Sequence, residues 1–195
     1  MKYISIDIEA TGLEENALII EFAAVPIDAD RKHIASDLAF HSYVWCPPFE
    51  KLKPDLNEWV IQNNESLINK ANKSGLKLNN FRTKVLDYFN SSAIKNYQND
   101  KYNNYTLLGK SMNSIDLPFL NRDLGWNTMK SLFHHQVLDV SSVVRLAIDL
   151  KKLPKECTSG SHLSNYLGFG EVDHTALEDA VVTAKIYFKL LEIIN

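Results

Sequence analysis

The chain is poor in cysteine, in net positive charge and in long apolar runs, and each shortage closes off a class of protein. Cys46 and Cys157 are its only cysteines. They lack metal-ligand spacing and are too few for a disulfide framework, so both are expected to be buried or incidental thiols. Lys and Arg number 21 against 24 Asp and Glu, a net charge of −3. No global field therefore draws the chain to nucleic acid or to an anionic membrane surface, and a polyanion has to be captured locally. No apolar run approaches the roughly 20 residues of a membrane span. Met1-Lys2 leads straight into a strand pattern without the profile of a signal peptide, which sets the expectation of a cytoplasmic protein with no membrane partner. Repeats and interdomain linkers are missing too. The 195 residues, 45% hydrophobic and 23% charged, are expected to form one domain over 1–195 around one core.

What is present starts with Tyr3-Ile4-Ser5-Ile6-Asp7-Ile8-Glu9-Ala10-Thr11-Gly12-Leu13. Isoleucines alternate with other residues at a period of two, the signature of a strand. Residues two apart share a face, so Asp7 and Glu9 stand side by side with Cα atoms about 6.5–7 Å apart. Two like charges so placed repel, and a divalent cation between them turns the repulsion into a ligand set. Oxygen-only ligands favour hard ions such as Mg²⁺ or Mn²⁺. Thr11-Gly12 ends the strand, and Gly12 allows a turn and a close approach to the main chain. An isolated Asp-x-Glu at a strand end is ordinarily just solvated, so the motif needs distant partners.

Residues 17–27 and 37–45 are further apolar runs, read as strands antiparallel to the first because the connections are short. Cys46-Pro47-Pro48 breaks the pattern. From Pro54 to about Asn90 two or three helices are expected, with Phe81, Val85, Leu86 and Phe89 at helical spacing and Gly75 as punctuation. The asparagine-rich residues 90–104 read as a surface loop, whose tyrosines could alternatively stack on bases. Residues 105–109 read as a buried strand, and Asp116-Leu117-Pro118 opens a helix. Asp139 reads as the N-cap of a helix through about Leu150. Leu163, Tyr166 and Leu167 suggest a short helix closed by Gly168, and a last helix runs from about Ala176 to Ile193. Strands first, then strands alternating with helices, give an α/β architecture with a mixed sheet.

The distant partners lie near both helix starts. Thr175-Ala176-Leu177-Glu178 matches a capping box, which places His174 just before the cap and Asp179 at the fourth helical position, side by side. Glu178, Lys185, Lys189 and Glu192 share one stripe, the solvent face. Asp179 lies off it, on an apolar flank where a carboxylate needs a partner or a metal. A solvated first-turn aspartate favoured by the helix dipole is the alternative. For Asp116 the alternative is a plain N-cap. His174, with an intrinsic pKa near 6.5, has the chemistry to deprotonate a water beside metal-bound carboxylates.

Taken together, these segments resemble a family. Asp7-Ile-Glu9-Ala-Thr-Gly-Leu is similar to the first motif of the DEDD superfamily, the DnaQ-like 3′-to-5′ exonucleases on a ribonuclease H-like fold. Ser114-Ile-Asp116-Leu-Pro-Phe-Leu resembles the second motif. His174-Thr-Ala-Leu-Glu-Asp179-Ala resembles the third, in the form with a histidine five positions before the last aspartate. Within that superfamily Leu138-Asp139-Val140-Ser141-Ser142 resembles a segment of oligoribonuclease, as do Glu58-Trp59 and Ser74-Gly75-Leu76. The gap from Trp59 to Ser74 is longer than in that family, and Gly109–Ile115 carries one residue more before Asp116.

The resemblance implies two divalent ions, Mg²⁺ or Mn²⁺, held by Asp7, Glu9, Asp116 and Asp179, and His174 as general base. Two ions about 3.5–4 Å apart can hold the attacking and leaving oxygens of an in-line displacement. It also implies that Leu13 wedges against the terminal base while the backbone at Ala10-Thr11-Gly12 meets the terminal ribose, although Leu13 could equally pack on the sheet. The expected substrate is single-stranded nucleic acid, short RNA before DNA, because no basic stripe suits a long strand. The resemblance suggests a homodimer. Two alternatives stay open: a DNA exonuclease of proofreading or repair type, and a non-catalytic nucleic-acid-binding module, whose mark would be a lost carboxylate or histidine. All five residues are present.

Overall fold

The computed structural model describes residues 1–98, 104–170 and 175–195. It opens with β1 (Lys2–Ala10) and β2 (Ile19–Asp28), an antiparallel pair whose register runs from Lys2 opposite Asp28 to Glu9 opposite Glu21 and shifts between Glu9 and Ala10. The short β3 (His33–Ile34) and β4 (Phe40–Tyr43) each return antiparallel onto β2. The run over 37–45 thus yields a strand at its centre, preceded by a 3-10 turn over Ser36–Leu38. Pro48 then caps α1 (Phe49–Leu52).

Three helices follow, as the spacing predicts: α2 (Glu58–Asn63), α3 (Glu65–Ser74) and α4 (Leu78–Asn90). Gly75 ends α3 because the chain passes too close for a side chain there. A Cβ on it would lie 2.4 Å from the Ala71 carbonyl and 2.6 Å from the Trp45 nitrogen. The expectation of a loop over 90–104 is corrected in part. Ser92–Gln98 forms α5, with Ile94 buried in the core, the Ser91 hydroxyl accepting from the Ile94 N–H, and Lys2 lying over the Tyr97 ring at 4.7 Å. One buried side chain and a cap hold a helix whose other residues, Ala93 apart, are polar. Asn99 and Asn103 lie outside the described residues.

The second half alternates strand and helix: β5 (Leu107–Gly109), α6 (Asp116–Asp123), α7 (Trp126–Leu132), β6 (Leu138–Asp139), α8 (Val140–Asp149), α9 (Gly160–Tyr166) and α10 (Ala176–Ile194). Asp139 caps α8 as expected, accepting from the Ser141 N–H. Helix α7 had no sequence signal, since only Met129 and Leu132 of its Trp-Asn-Thr-Met-Lys-Ser-Leu are buried.

The strands make one mixed sheet in the order β3-β2-β1-β5-β6, with β4 also on β2. β1 is antiparallel to β2 and parallel to β5, and β5 is parallel to β6. The alternation in β1 decides what each face holds. Ile4, Ile6 and Ile8 pack with Phe22, Phe81, Phe89, Leu107 and Phe119 beneath α4 and α6. Tyr3 belongs to the opposite layer with Leu108, Val144, Ala180 and Ala184 beneath α8 and α10, and Ser5 points the same way. Helices therefore flank both faces, the ribonuclease H-like arrangement. Cys46 and Cys157 are buried and unpaired. Among the described residues no helix is long and apolar enough to cross a membrane.

Candidate active site

Past Ser5 along the same face of β1 come Asp7 and Glu9, and α10 lies over them. The Ser5 hydroxyl donates to the Ala180 carbonyl at 2.7 Å, which ties the first turns of α10 to β1. Thr175 caps that helix by accepting from the Glu178 N–H, and its own hydroxyl bonds the Glu178 carboxylate at 2.9 Å. The expected stripe of Glu178, Lys185, Lys189 and Glu192 is exposed. Asp179 turns inward, so that one carboxylate oxygen from each of Asp7, Glu9 and Asp179 lies within 4.8 Å of the others.

Asp116 approaches from the neighbouring strand connection. It is the first residue of α6 and makes no side-chain cap. Its Oδ1 instead accepts from the Ile8 N–H at 3.2 Å, so the N-cap alternative is set aside. β5 is short enough to make this contact possible: its pairing with β1 reaches only Ser5, which leaves the end of β1 open. Asp139 shapes the intervening turn by accepting from the Ser111 and Met112 N–H groups at 3.2 and 3.1 Å. Ser111 there has φ +57°, a left-handed conformation that this pair of bonds helps to hold.

The electrostatics follow from this crowding. Burial, then the Asp116, Asp179 and Glu9 carboxylates, hold Asp7 well above the usual carboxylate range, while Lys110 pulls it partly back. Glu9 is pushed up to about 8 by burial first and then by Asp179, Glu21 and Asp116. Burial raises Asp116 to about 7, opposed by its backbone hydrogen bonds and reinforced by Asp139. Groups so disfavoured as anions mark a place where positive charge is wanted. A divalent cation with oxygen ligands at about 2.1 Å sets them about 3–4 Å apart, so the cluster needs to contract only slightly. The donor set fits a hard divalent ion.

Of the expected substrate contacts, Leu13 is 73% exposed. Thr11 is buried, with its N–H donating to the Leu18 carbonyl and its hydroxyl accepting from the Leu18 N–H, which closes the 11–18 loop. The Ala10 carbonyl meets Asn64 Nδ2 at 3.5 Å, and Gly12 is buried beside Ala17. His174 lies outside the described residues, and so does its placement beside Asp179.

Two features went unread in the sequence. Glu21, a single carboxylate within the apolar run 17–27, is 1% exposed and faces Glu9 across the strand pair. Its signal was charge inside a strand otherwise buried on both faces. The other is a recess of about 100 Å³ lined by Lys110, Ser111, Ser141, Arg145 and Thr158 among mostly apolar residues, with no carboxylate in its wall; its Lys110 is the cation that lowers Asp7. Only the fold could bring these five together.

Residues 2–191 match the 3′-5′ exoribonuclease Rv2179c-like domain family. The chain belongs to this family. No curated protein matches it by sequence. Among solved structures, it is similar to the nuclease domain of 3′hExo, a DEDDh family member solved bound to rAMP. That likeness has a TM-score of 0.67 at 20% identity over 98% of this chain and 92% of that one. Cell-death related nuclease 4 gives a TM-score of 0.70 at 14% identity over 98% of this chain and 64% of that one. E. coli exonuclease I, solved with a 5cy-dT13 oligonucleotide, gives 0.63 at 15% identity over 98% and 40%. At these identities the likeness establishes the fold. The family match makes this Rv2179c-like chain a 3′-5′ exonuclease, a hydrolase, and its fold is shared with the DEDDh family member 3′hExo. The resemblance to oligoribonuclease stays at the level of the segments that carry it.

Proposed function

We propose that this exonuclease removes nucleotides from the 3′ end of short single-stranded RNA and releases nucleoside 5′-monophosphates. Its site is assigned to Asp7, Glu9, Asp116, Asp179 and His174 within a single domain over 1–195. The observation that carries the reading is the convergence of three carboxylates within 4.8 Å at the end of β1, with Asp116 on the adjoining backbone.

Asp7, Glu9, Asp116 and Asp179 would hold two divalent ions, Mg²⁺ or Mn²⁺. Bound there, the ions supply Lewis-acid activation of the attacking water and charge stabilisation for the leaving 3′ oxygen. The four carboxylates alone would repel a phosphodiester, and two bound divalent ions would bring the site near neutrality. His174 takes the proton from the attacking water as general base. Leu13 offers an apolar face to the terminal base, and the closed loop at Ala10-Thr11-Gly12 presents its backbone to the terminal ribose.

Short substrates are supported by the recess lined by Lys110 and Arg145. Lys110 and Arg145 have no carboxylate partner within ion-pair distance among the described residues, and the Ser111 and Ser141 hydroxyls lie 3.0 Å apart. Two cations with paired hydroxyls suit one further phosphate group, and the sequence carries no basic stripe of the kind that long strands recruit. The family's description as an exoribonuclease favours RNA over the DNA alternative, and the intact carboxylate set argues against a non-catalytic module. Two buried unpaired thiols suit the reducing cytoplasm. A homodimer is proposed on the oligoribonuclease resemblance alone, and sedimentation tests it.

The experiment is a gel time course with Mg²⁺ or Mn²⁺ on 5′-labelled RNA and DNA, each as a dinucleotide and a 20-mer. Fast, metal-dependent cleavage of the RNA dinucleotide is expected. Equal laddering of RNA and DNA 20-mers would replace this reading with a general exonuclease.

A further inference from the structure

Glu21 is a charge sealed inside the sheet, and such a group needs partners. It has two. Its Oε1 lies 2.5 Å from His41 Nε2 on β4, and its Oε2 accepts at 3.0 Å from the N–H of Ala176, the first residue of α10. One turn further on, the Ala180 carbonyl accepts from the Ser5 hydroxyl. Helix α10 is thus fastened to β2 at Ala176 and to β1 at Ala180. Asp179 sits between the two fastenings, with its carboxylate beside those of Asp7 and Glu9.

Stability alone does not explain Glu21. Its carboxylate faces Glu9 and helps to push that group up to about 8, and a well-packed apolar side chain at a buried charged position is often at least as stabilising. What an apolar residue lacks is an acceptor for the Ala176 N–H. We propose that Glu21 is a positioning residue of the catalytic centre. Held in orientation by His41, it fixes the start of α10 on the sheet so that the Asp179 carboxylate meets Asp7 and Glu9. This rests on the reading of Asp179 as a metal ligand.

The test is Mn²⁺ binding by calorimetry, together with kcat and KM on an RNA dinucleotide, for Glu21→Ala, Glu21→Asp and Glu21→Gln, with Asp179→Asn in parallel. Glu21→Ala and the shortened Glu21→Asp are expected to weaken Mn²⁺ binding and lower kcat by about 10- to 100-fold, the usual effect of losing a group that orients a ligand. KM is expected to change by less than about threefold, because Glu21 does not touch substrate. Glu21→Gln keeps an acceptor for Ala176 and can donate to His41, so it is expected to recover most of both properties. Wild-type Mn²⁺ affinity and kcat in Glu21→Ala, even with a lowered Tm, would reduce Glu21 to a structural residue and overturn the proposal. Failure of Glu21→Gln to recover function would also overturn it. If Glu21→Ala does not fold, Glu21→Asp decides by the same criteria. Full Mn²⁺ binding in Asp179→Asn would instead remove the ligand reading, a result separable from failure of Glu21 alone.

Discussion

The carboxylate of Asp116 accepts a hydrogen bond from the backbone N–H of Ile8 at 3.2 Å, joining the first residue of α6 to the strand that carries Asp7 and Glu9. The bond places a fourth carboxylate near the cluster without making it part of the tight group of three. An asparagine at 116 can keep the bond through its amide oxygen while losing the charge. Asp116→Asn is therefore expected to retain or raise the Tm, since repulsion is relieved, and to lose at least about a hundredfold in kcat, as when a charge-stabilising group is removed. Thermal melts and single-turnover kinetics check both; wild-type kcat would remove Asp116 from the site.

The raised carboxylates predict a pH dependence with a definite sign. Glu9 at about 8 and Asp116 at about 7 keep their protons in the folded state after the unfolded chain has released them. The folded state then binds more protons, so stability falls as pH rises. Metal-free protein is expected to lose Tm steadily from about pH 5 to pH 8, whereas Mn²⁺, which replaces those protons, is expected to raise Tm more at pH 8 than at pH 5. A metal-free Tm flat across that range would contradict the crowding described here.

Leu13 is 73% exposed at the turn that follows β1. Leu13→Ala is expected to change stability by less than about 0.5 kcal/mol, as for an ordinary surface position. Its effect should fall on KM for short RNA. A loss of Tm with unchanged KM would show that Leu13 packs on the sheet instead.

The recess at Lys110 and Arg145 gives a prediction about substrate length. The double variant Lys110→Ala/Arg145→Ala is expected to raise KM for a 5′-phosphorylated RNA dinucleotide by about tenfold or more, on the scale of a lost charge-assisted hydrogen bond. It should matter less for a dinucleotide without that phosphate. Equal effects on the two would mean that the recess does not read a phosphate.

Much of this was legible in the chain because the signals were local. The alternation of Ile4, Ile6 and Ile8 sets the two faces of β1, and with them the side on which Asp7 and Glu9 stand. The capping pattern at Thr175 places the start of α10 and turns Asp179 off the solvent stripe. The rest depended on contacts between distant segments. Asp116 has the sequence of an N-cap, and only the short β5 that exposes Ile8 gives its carboxylate another partner. Residues 92–98 look polar because one side chain, Ile94, does most of the packing. Glu21 reads as an interruption in a strand until β4 and α10 close over it with His41 and Ala176.

The most direct test of the whole account is Mn²⁺-dependent hydrolysis of an RNA dinucleotide by Asp7→Ala beside the wild type, with Mn²⁺ stoichiometry measured on the same samples. The account predicts that wild type binds two ions and cleaves, while Asp7→Ala stays folded, binds fewer ions and does not cleave. An Asp7→Ala protein that cleaves at the wild-type rate would contradict it.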